Sequence, residues 1–148
     1  MHRAVVILTV VAAALGLAAA GAYAIEDPIF TRQSLMDANG AAAGAGAAML
    51  KGEAPFNEAV GKSVFQTMHA VAYSYGDYFP AESNTGKTKA SPKIWEDAAG
   101  FAAALQQFQK DTDAALAAKP ADLEAFKTAF GQVANNCKTC HDKFRISE

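Results

Sequence analysis

The sequence predicts an all-α fold, an antiparallel bundle of four amphipathic helices. Three observations carry that reading. Alanine is abundant and β-branched residues are few beyond residue 24, which inclines the chain to helix. Four stretches space their apolar residues three and four apart, the period of a helix with one buried face. The links between them are marked by Pro and Gly, two short and one longer, as suits neighbours in an up-down bundle.

Residues 1–24 stand apart. Met1, His2 and Arg3 make a short basic start, Ala4 to Ala20 is an apolar run, and Ala22-Tyr23-Ala24 is a small-x-small cleavage site. This is the pattern of a secretory signal peptide, cut after Ala24. A permanent membrane anchor is the alternative, but the run is about as short as a span can be. Residues 25–148 then form one domain, exported to the periplasm, with no stable membrane insertion. Loss of Arg3 leaves 12 of the 13 basic residues against 15 acidic ones, a formal charge of −3, which gives no footing for nucleic acid.

Asp27-Pro28 supplies an N-cap and N1 pair for the first helix, whose stripe is Ile29, Met36, Ala43 and Leu50. Gly40, Gly44 and Gly46 lie within it. Each costs roughly 1 kcal/mol relative to Ala, so they mark either a close approach or an Ala/Gly bias. Lys51-Gly52 ends the helix. Pro55 opens the second, with Val60, Val64, Met68, Val71 and Tyr75 as its stripe. Met49 and Met68 read as core and His69 as exposed. Tyr78 to Pro92 is a polar, Lys-containing surface loop. A single third helix starts at Ser91-Pro92 and carries Ile94, Ala98, Phe101, Leu105, Phe108, Thr112 and Ala115 until Lys119-Pro120 breaks it. The fourth runs from about Asp122, with Leu123, Phe126, Phe130, Val133, Cys137, Cys140 and Phe144 in its stripe.

That last stripe contains Cys137-Lys138-Thr139-Cys140-His141, the C-x-x-C-H attachment signature of a c-type haem. Two thiols add across the porphyrin vinyl groups as thioethers, and the adjacent imidazole reaches the iron. Residues three apart share a helix face, so both cysteines grip one edge of the ring from the buried seam. The cofactor therefore sits inside the bundle, one covalent haem c per chain. Zinc wants four ligands, and the chain has two cysteines. A thioredoxin-like pair wants a βαβ setting, and no strand pattern surrounds this one.

These residues, with Arg32-Gln33-Ser34, the run Lys51-Gly52-Glu53-Ala54-Pro55-Phe56, Ser91-Pro92-Lys93-Ile94-Trp95 and Asp142-Lys143-Phe144-Arg145 after the haem motif, make residues 25–148 resemble the class II cytochromes c. That family comprises the cytochromes c′ and their low-spin, Met-ligated relatives, and cytochrome c′ is itself an example of an up-down four-helix bundle. The resemblance implies that His141 is the proximal iron ligand and that Met36 stands over the distal face. It also implies that Arg32 lies near a propionate, that Arg145 lies near the proximal histidine, and that Gln33 and Trp95 belong to the haem surroundings. By its residues alone Met36 is equally a core methionine.

Two functions follow. With His141 and Met36 both bound, the iron has no open position. The chain is then a single-electron carrier for redox partner proteins, the thioether sulfur raising the potential relative to a second imidazole. With Met36 off the iron, the chain is a five-coordinate cytochrome c′ that binds or sequesters NO or CO. An enzyme is not expected, because no carboxylate pair, nucleophile triad or second metal cluster is present. Homodimer formation through the first two helices is left open.

Overall fold

The computed structural model describes residues 27–146. The expected signal peptide and its cleavage site lie outside the described residues. Four long helices, α1 (Pro28–Leu50), α2 (Glu58–Ser74), α4 (Ala98–Ala118) and α5 (Leu123–Phe144), form the antiparallel bundle, and a one-turn α3 (Lys93–Glu96) precedes α4. α1 packs on α2, α2 on α4, α4 on α5, and α5 more sparsely back on α1. Among the described residues there is no strand, only an isolated antiparallel bridge between Ala90 and Arg145. None of the described helices is long and apolar enough to cross a membrane.

The helix ends follow from short polar side chains that satisfy orphan amides. Asp27 accepts from the Phe30 amide at 2.9 Å, with Pro28 at the start of α1. Asn57 accepts from Val60 at 3.1 Å and Asp122 from Ala125 at 2.8 Å. Gly52, at φ +72°, closes α1 beyond the Lys51 cap, where a side chain would be strained.

The expected single third helix is two. Asp97 leaves the helical region at φ −122°, ψ 58°, and its carboxylate caps α4 through the Gly100 amide at 3.0 Å. Asp competes with the backbone for hydrogen bonds in this way, and Lys143 of α5 holds the same carboxylate at 2.7 Å. A short 3₁₀ turn, Tyr75–Tyr78, continues from α2, and a second, Ala81–Asn84, lies in the surface loop.

The core is built on Phe65, Met68, Phe126 and Val133, with Met49 also buried. Phe126 stands at its centre, with Phe56, Phe65 and Phe130 around it at 5.1–5.7 Å. A second cluster, Ile94, Phe101 and Phe144, lies against Phe79 and Trp95. On α2 the stripe holds from Val64 to Val71, but Val60 is exposed. On α1 the stripe is displaced. Ile29, Met36, Ala43 and Leu50 are only half-buried, and the innermost line is Arg32, Asn39, Ala42, Gly46 and Met49. Two polar residues turn inward there because a cavity, not apolar packing, faces that part of α1.

Of the three α1 glycines, only Gly46 marks a close approach. A Cβ there would overlap the Phe130 ring, whereas nothing lies within 4 Å of one at Gly40 or Gly44.

Candidate haem site

A cavity of about 540 Å³ opens between the two apolar clusters. α1 supplies Arg32, Met36 and Asn39 to its wall, and α4 supplies Phe101, Leu105 and Phe108. α5 supplies Cys137, Cys140, His141 and Phe144, and the loop closes it with Thr88, Lys89 and Ala90. The size and the mostly apolar lining, with a few polar groups, are those of a cofactor site.

Cys137 and Cys140 are half-buried, in no disulfide, and one turn apart on α5. Burial pushes both thiols up, and at Cys140 the neighbouring Cys137 adds to it. Both are therefore protonated at neutral pH, unlike the lowered thiol of a redox-enzyme pair. His141 follows at the rim, its side chain pulled down by desolvation first and by the Arg145 charge second, against Asp142. It is held as a neutral imidazole with a lone pair to offer a metal. Arg145 also lines the cavity, and its amide closes α5 on the His141 carbonyl at 3.2 Å.

Arg32 is 2% exposed. Its guanidinium donates to Tyr78 O at 3.2 Å, Ser83 Oγ at 2.9 Å, Ser83 O at 2.8 Å and Thr88 Oγ1 at 2.8 Å. It lies over the Phe79 ring at 4.9 Å and near Trp95 at 5.9 Å. All four acceptors are neutral, so a buried positive charge faces the cavity, and burial lowers its affinity for the proton. Such a charge suits an anionic guest. Gln33 sits at the mouth, exposed, donating to Lys87 O at 2.9 Å.

Trp95 is not on the wall. Its indole donates to Phe79 O at 3.1 Å and stands behind Arg32, one layer back from the expected haem contact. His69 is half-buried, paired with Asp113 at 3.0 Å on the far side of α2. Asn39, Tyr75 and Asn136 are polar wall residues that the sequence does not mark as cavity groups. Asn39 follows Met36 by three and Arg32 by seven, a same-face spacing that was available. Asn136 ties α5 to α4 through Asp111 at 2.8 Å, which only the packing reveals. Tyr75, the last residue of the α2 stripe, has its phenol pushed up to about 12, chiefly by burial.

The residues fit a c-type haem. The two thiols and the imidazole share the wall of a cavity of suitable size, and Arg32 offers a buried positive charge. Among the described residues no group of three His, Cys, Asp or Glu could hold a bare metal ion.

The Cytochrome C′ family model matches residues 27–145. The chain is similar to cytochrome c-556 of Agrobacterium fabrum, at 36% identity over 95% of this chain and 96% of that one. It is similar to cytochrome c′ of Rhodopseudomonas palustris, at 40% identity over 86% of this chain and 87% of that one. The solved structure of cytochrome c′ from Rhodopseudomonas palustris superposes with a TM-score of 0.78 at 37% identity, covering 82% of this chain and 98% of that one. Cytochrome c′ from Shewanella frigidimarina gives 0.76 at 34%, covering 84% and 100%. The chain therefore belongs to the cytochrome c′ family, the class II cytochromes c, and is a four-helix-bundle cytochrome with covalently bound haem c.

Proposed function

We propose that this cytochrome is a periplasmic single-electron carrier, exported by a signal peptide cleaved after Ala24. Cys137 and Cys140 form the thioethers, and His141 and Met36 are the axial iron ligands. The haem supplies Fe(III)/Fe(II) exchange. The chain's own residues hold it, keep water off it and set its potential.

The observation that carries Met36 is the register of α1 against α5. Gly46 lies against Phe130, and the two helices run antiparallel. Ten residues back from Gly46 is Met36, and ten residues on from Phe130 is Cys140. Both steps are roughly 15 Å, which supports Met36 standing across the cavity from the Cys140-His141 pair. Met36 is half-buried and on the wall, so its thioether has both access and freedom to turn. Arg32 and Arg145 add positive charge near the site, and positive charge favours the ferrous state.

A second reading has its own support. Cytochromes c′ stand beside cytochromes c-556 among the relatives, and a variant of cytochrome c′ from Alcaligenes xylosoxidans has been solved as its nitric oxide complex, at 31% identity and a TM-score of 0.72. In that reading Met36 is packing and the iron is five-coordinate, open to NO or CO. A related cytochrome c′, 26% identical, undergoes ligand-controlled dimer dissociation, so pairing of two copies belongs to this reading.

One optical spectrum of the purified holoprotein, oxidised and reduced, separates the two. Electron transfer through His141 and Met36 requires a low-spin reduced form and an oxidised form with a sulfur-to-iron band at the red end. A high-spin spectrum in both states removes Met36 from the iron and leaves the gas-binding reading. The intact mass after acid denaturation is the mature chain from Ile25 plus one haem; a bare-chain mass ends the covalent assignment of Cys137 and Cys140.

A further inference from the structure

The cavity wall spends most of its donors on the protein itself. Haem c keeps its pair of carboxylates after the vinyl groups have become thioethers, and these are the strong hydrogen-bond acceptors left on its rim. Arg32 offers them charge but little more. One of its terminal nitrogens donates to Tyr78 O and Ser83 Oγ, the other to Ser83 O and Thr88 Oγ1, which leaves the Nε–H. Asn136 is committed to Asp111 at 2.8 Å and to its own helix.

Tyr75 has a donor to spare. It caps α2, its amide held by Val71 O, and it lines the cavity where the two apolar clusters meet. Phe79 meets its ring edge-on at 5.0 Å. Among the described residues its hydroxyl has no hydrogen-bond partner, yet it is not sealed inside the protein. A phenol on an apolar wall ordinarily finds a partner for its O–H, and Phe would serve the packing alone. The hydroxyl is also within electrostatic reach of both ends of the site. Burial first, then the Cys140 thiol, raises its pKa, and Arg32 lowers it. An unused O–H thus stands near the buried cation that draws an anion into the cavity.

We propose that Tyr75 anchors the haem: its O–H donates a hydrogen bond to the haem carboxylate that Arg32 attracts. Arg32 supplies the charge and Tyr75 the directed bond. That bond draws negative charge away from the haem edge and so favours the ferrous state. No covalent bond is made or broken at Tyr75. The inference rests on haem c filling this cavity and holds whether or not Met36 ligates the iron.

The test is isotope-edited infrared spectroscopy of the holoprotein, in which carbon-13 in the haem carboxylates picks their bands out from those of the protein. Wild type is compared with Tyr75→Phe and with protein carrying a fluorotyrosine at position 75, whose more acidic phenol is a stronger donor. A haem carboxylate band should move in opposite directions in the two altered proteins. Tyr75→Phe should also raise the ferric-to-ferrous ratio at a fixed applied potential about two- to fivefold, part of the worth of one hydrogen bond. Carboxylate bands unchanged in Tyr75→Phe overturn the proposal. Bands that move the same way in both altered proteins overturn it too, because they mark repacking of the wall and not a bond graded by its donor. Failure of the haem reading is seen separately, as a bare-chain mass.

Discussion

Gly46 of α1 and Phe130 of α5 meet so closely that the space of a Cβ at position 46 is taken by the Phe130 ring. This contact locks the register of the first and last helices of the bundle. Everything that α1 brings to the cavity, and everything that α5 brings, is set by counting from it.

Gly46→Ala should therefore destabilise the holoprotein. Phe130 is 7% exposed and stacks on Phe126 at 5.4 Å, so the ring has little room to retreat. Overpacking of this kind costs about 1–3 kcal/mol, which outweighs the roughly 1 kcal/mol that Ala returns in helix propensity. Gly44→Ala is the control, since nothing lies within 4 Å of its Cβ position; it should stabilise by up to about 1 kcal/mol. Urea denaturation of both variants measures the difference, and equal gains would refute the register contact.

Met36→Ala should turn a low-spin cytochrome into a five-coordinate one that binds carbon monoxide rapidly. The fold should survive. Met36 is half-buried, so the loss falls near or below the low end of the roughly 2–5 kcal/mol typical of a fully buried methionine. Stopped-flow carbon monoxide binding checks it: an unchanged rate would show that the sulfur never blocked the iron.

Tyr75→Phe should flatten the alkaline part of the stability curve. Burial first, then the Cys140 thiol, raises the Tyr75 phenol from 10 to about 12, against the pull of Arg32. The thioether bond removes the Cys140 share and leaves burial. The folded protein thus holds this proton more tightly than the unfolded chain. Its contribution, on the order of 2 kcal/mol, is whole below about pH 10 and is lost as pH rises through the folded value. Denaturation measured across that window should show a steeper loss in the wild type than in Tyr75→Phe. Parallel curves would mean that the phenol is solvated.

Arg32→Ala should loosen the loop over the cavity. It strips the donors from Tyr78 O, both Ser83 oxygens and Thr88 Oγ1, and takes the cation off Phe79. A loss of about 2–4 kcal/mol is expected, with faster proteolysis between residues 78 and 90. Arg32→Lys should recover little of it, because one ammonium cannot reproduce a planar fork to several acceptors. Full rescue by Lys would reduce the clamp to simple charge.

Much of the bundle was legible because local signals agreed. Asp27-Pro28, Lys51-Gly52, Lys119-Pro120 and Asp122 each mark a helix end by the chemistry of one or two side chains, and the structure ends helices there. Asn57 rather than Pro55 opens α2, and Asp97 splits the third helix. The Asp97 break was illegible because Lys143, 46 residues away, helps to hold it. The α5 seam was readable for the same reason as the ends: its apolar residues keep one helical period from Phe126 to Phe144, with both cysteines on it.

The sequence by itself determined the four long helices, several of their ends, the C-x-x-C-H motif and therefore the cofactor, because these depend on residues within a turn or two of one another. Only the tertiary structure decided which face of α1 turns inward, that Arg32 and Asn39 lie deeper than Met36, that Trp95 stands behind the wall, and that Gly46 alone among the α1 glycines answers to a neighbour. Those facts depend on how far one helix slides and rotates against another. That is set by the volume of Phe130 and by the cavity the bundle leaves open, which no local pattern encodes.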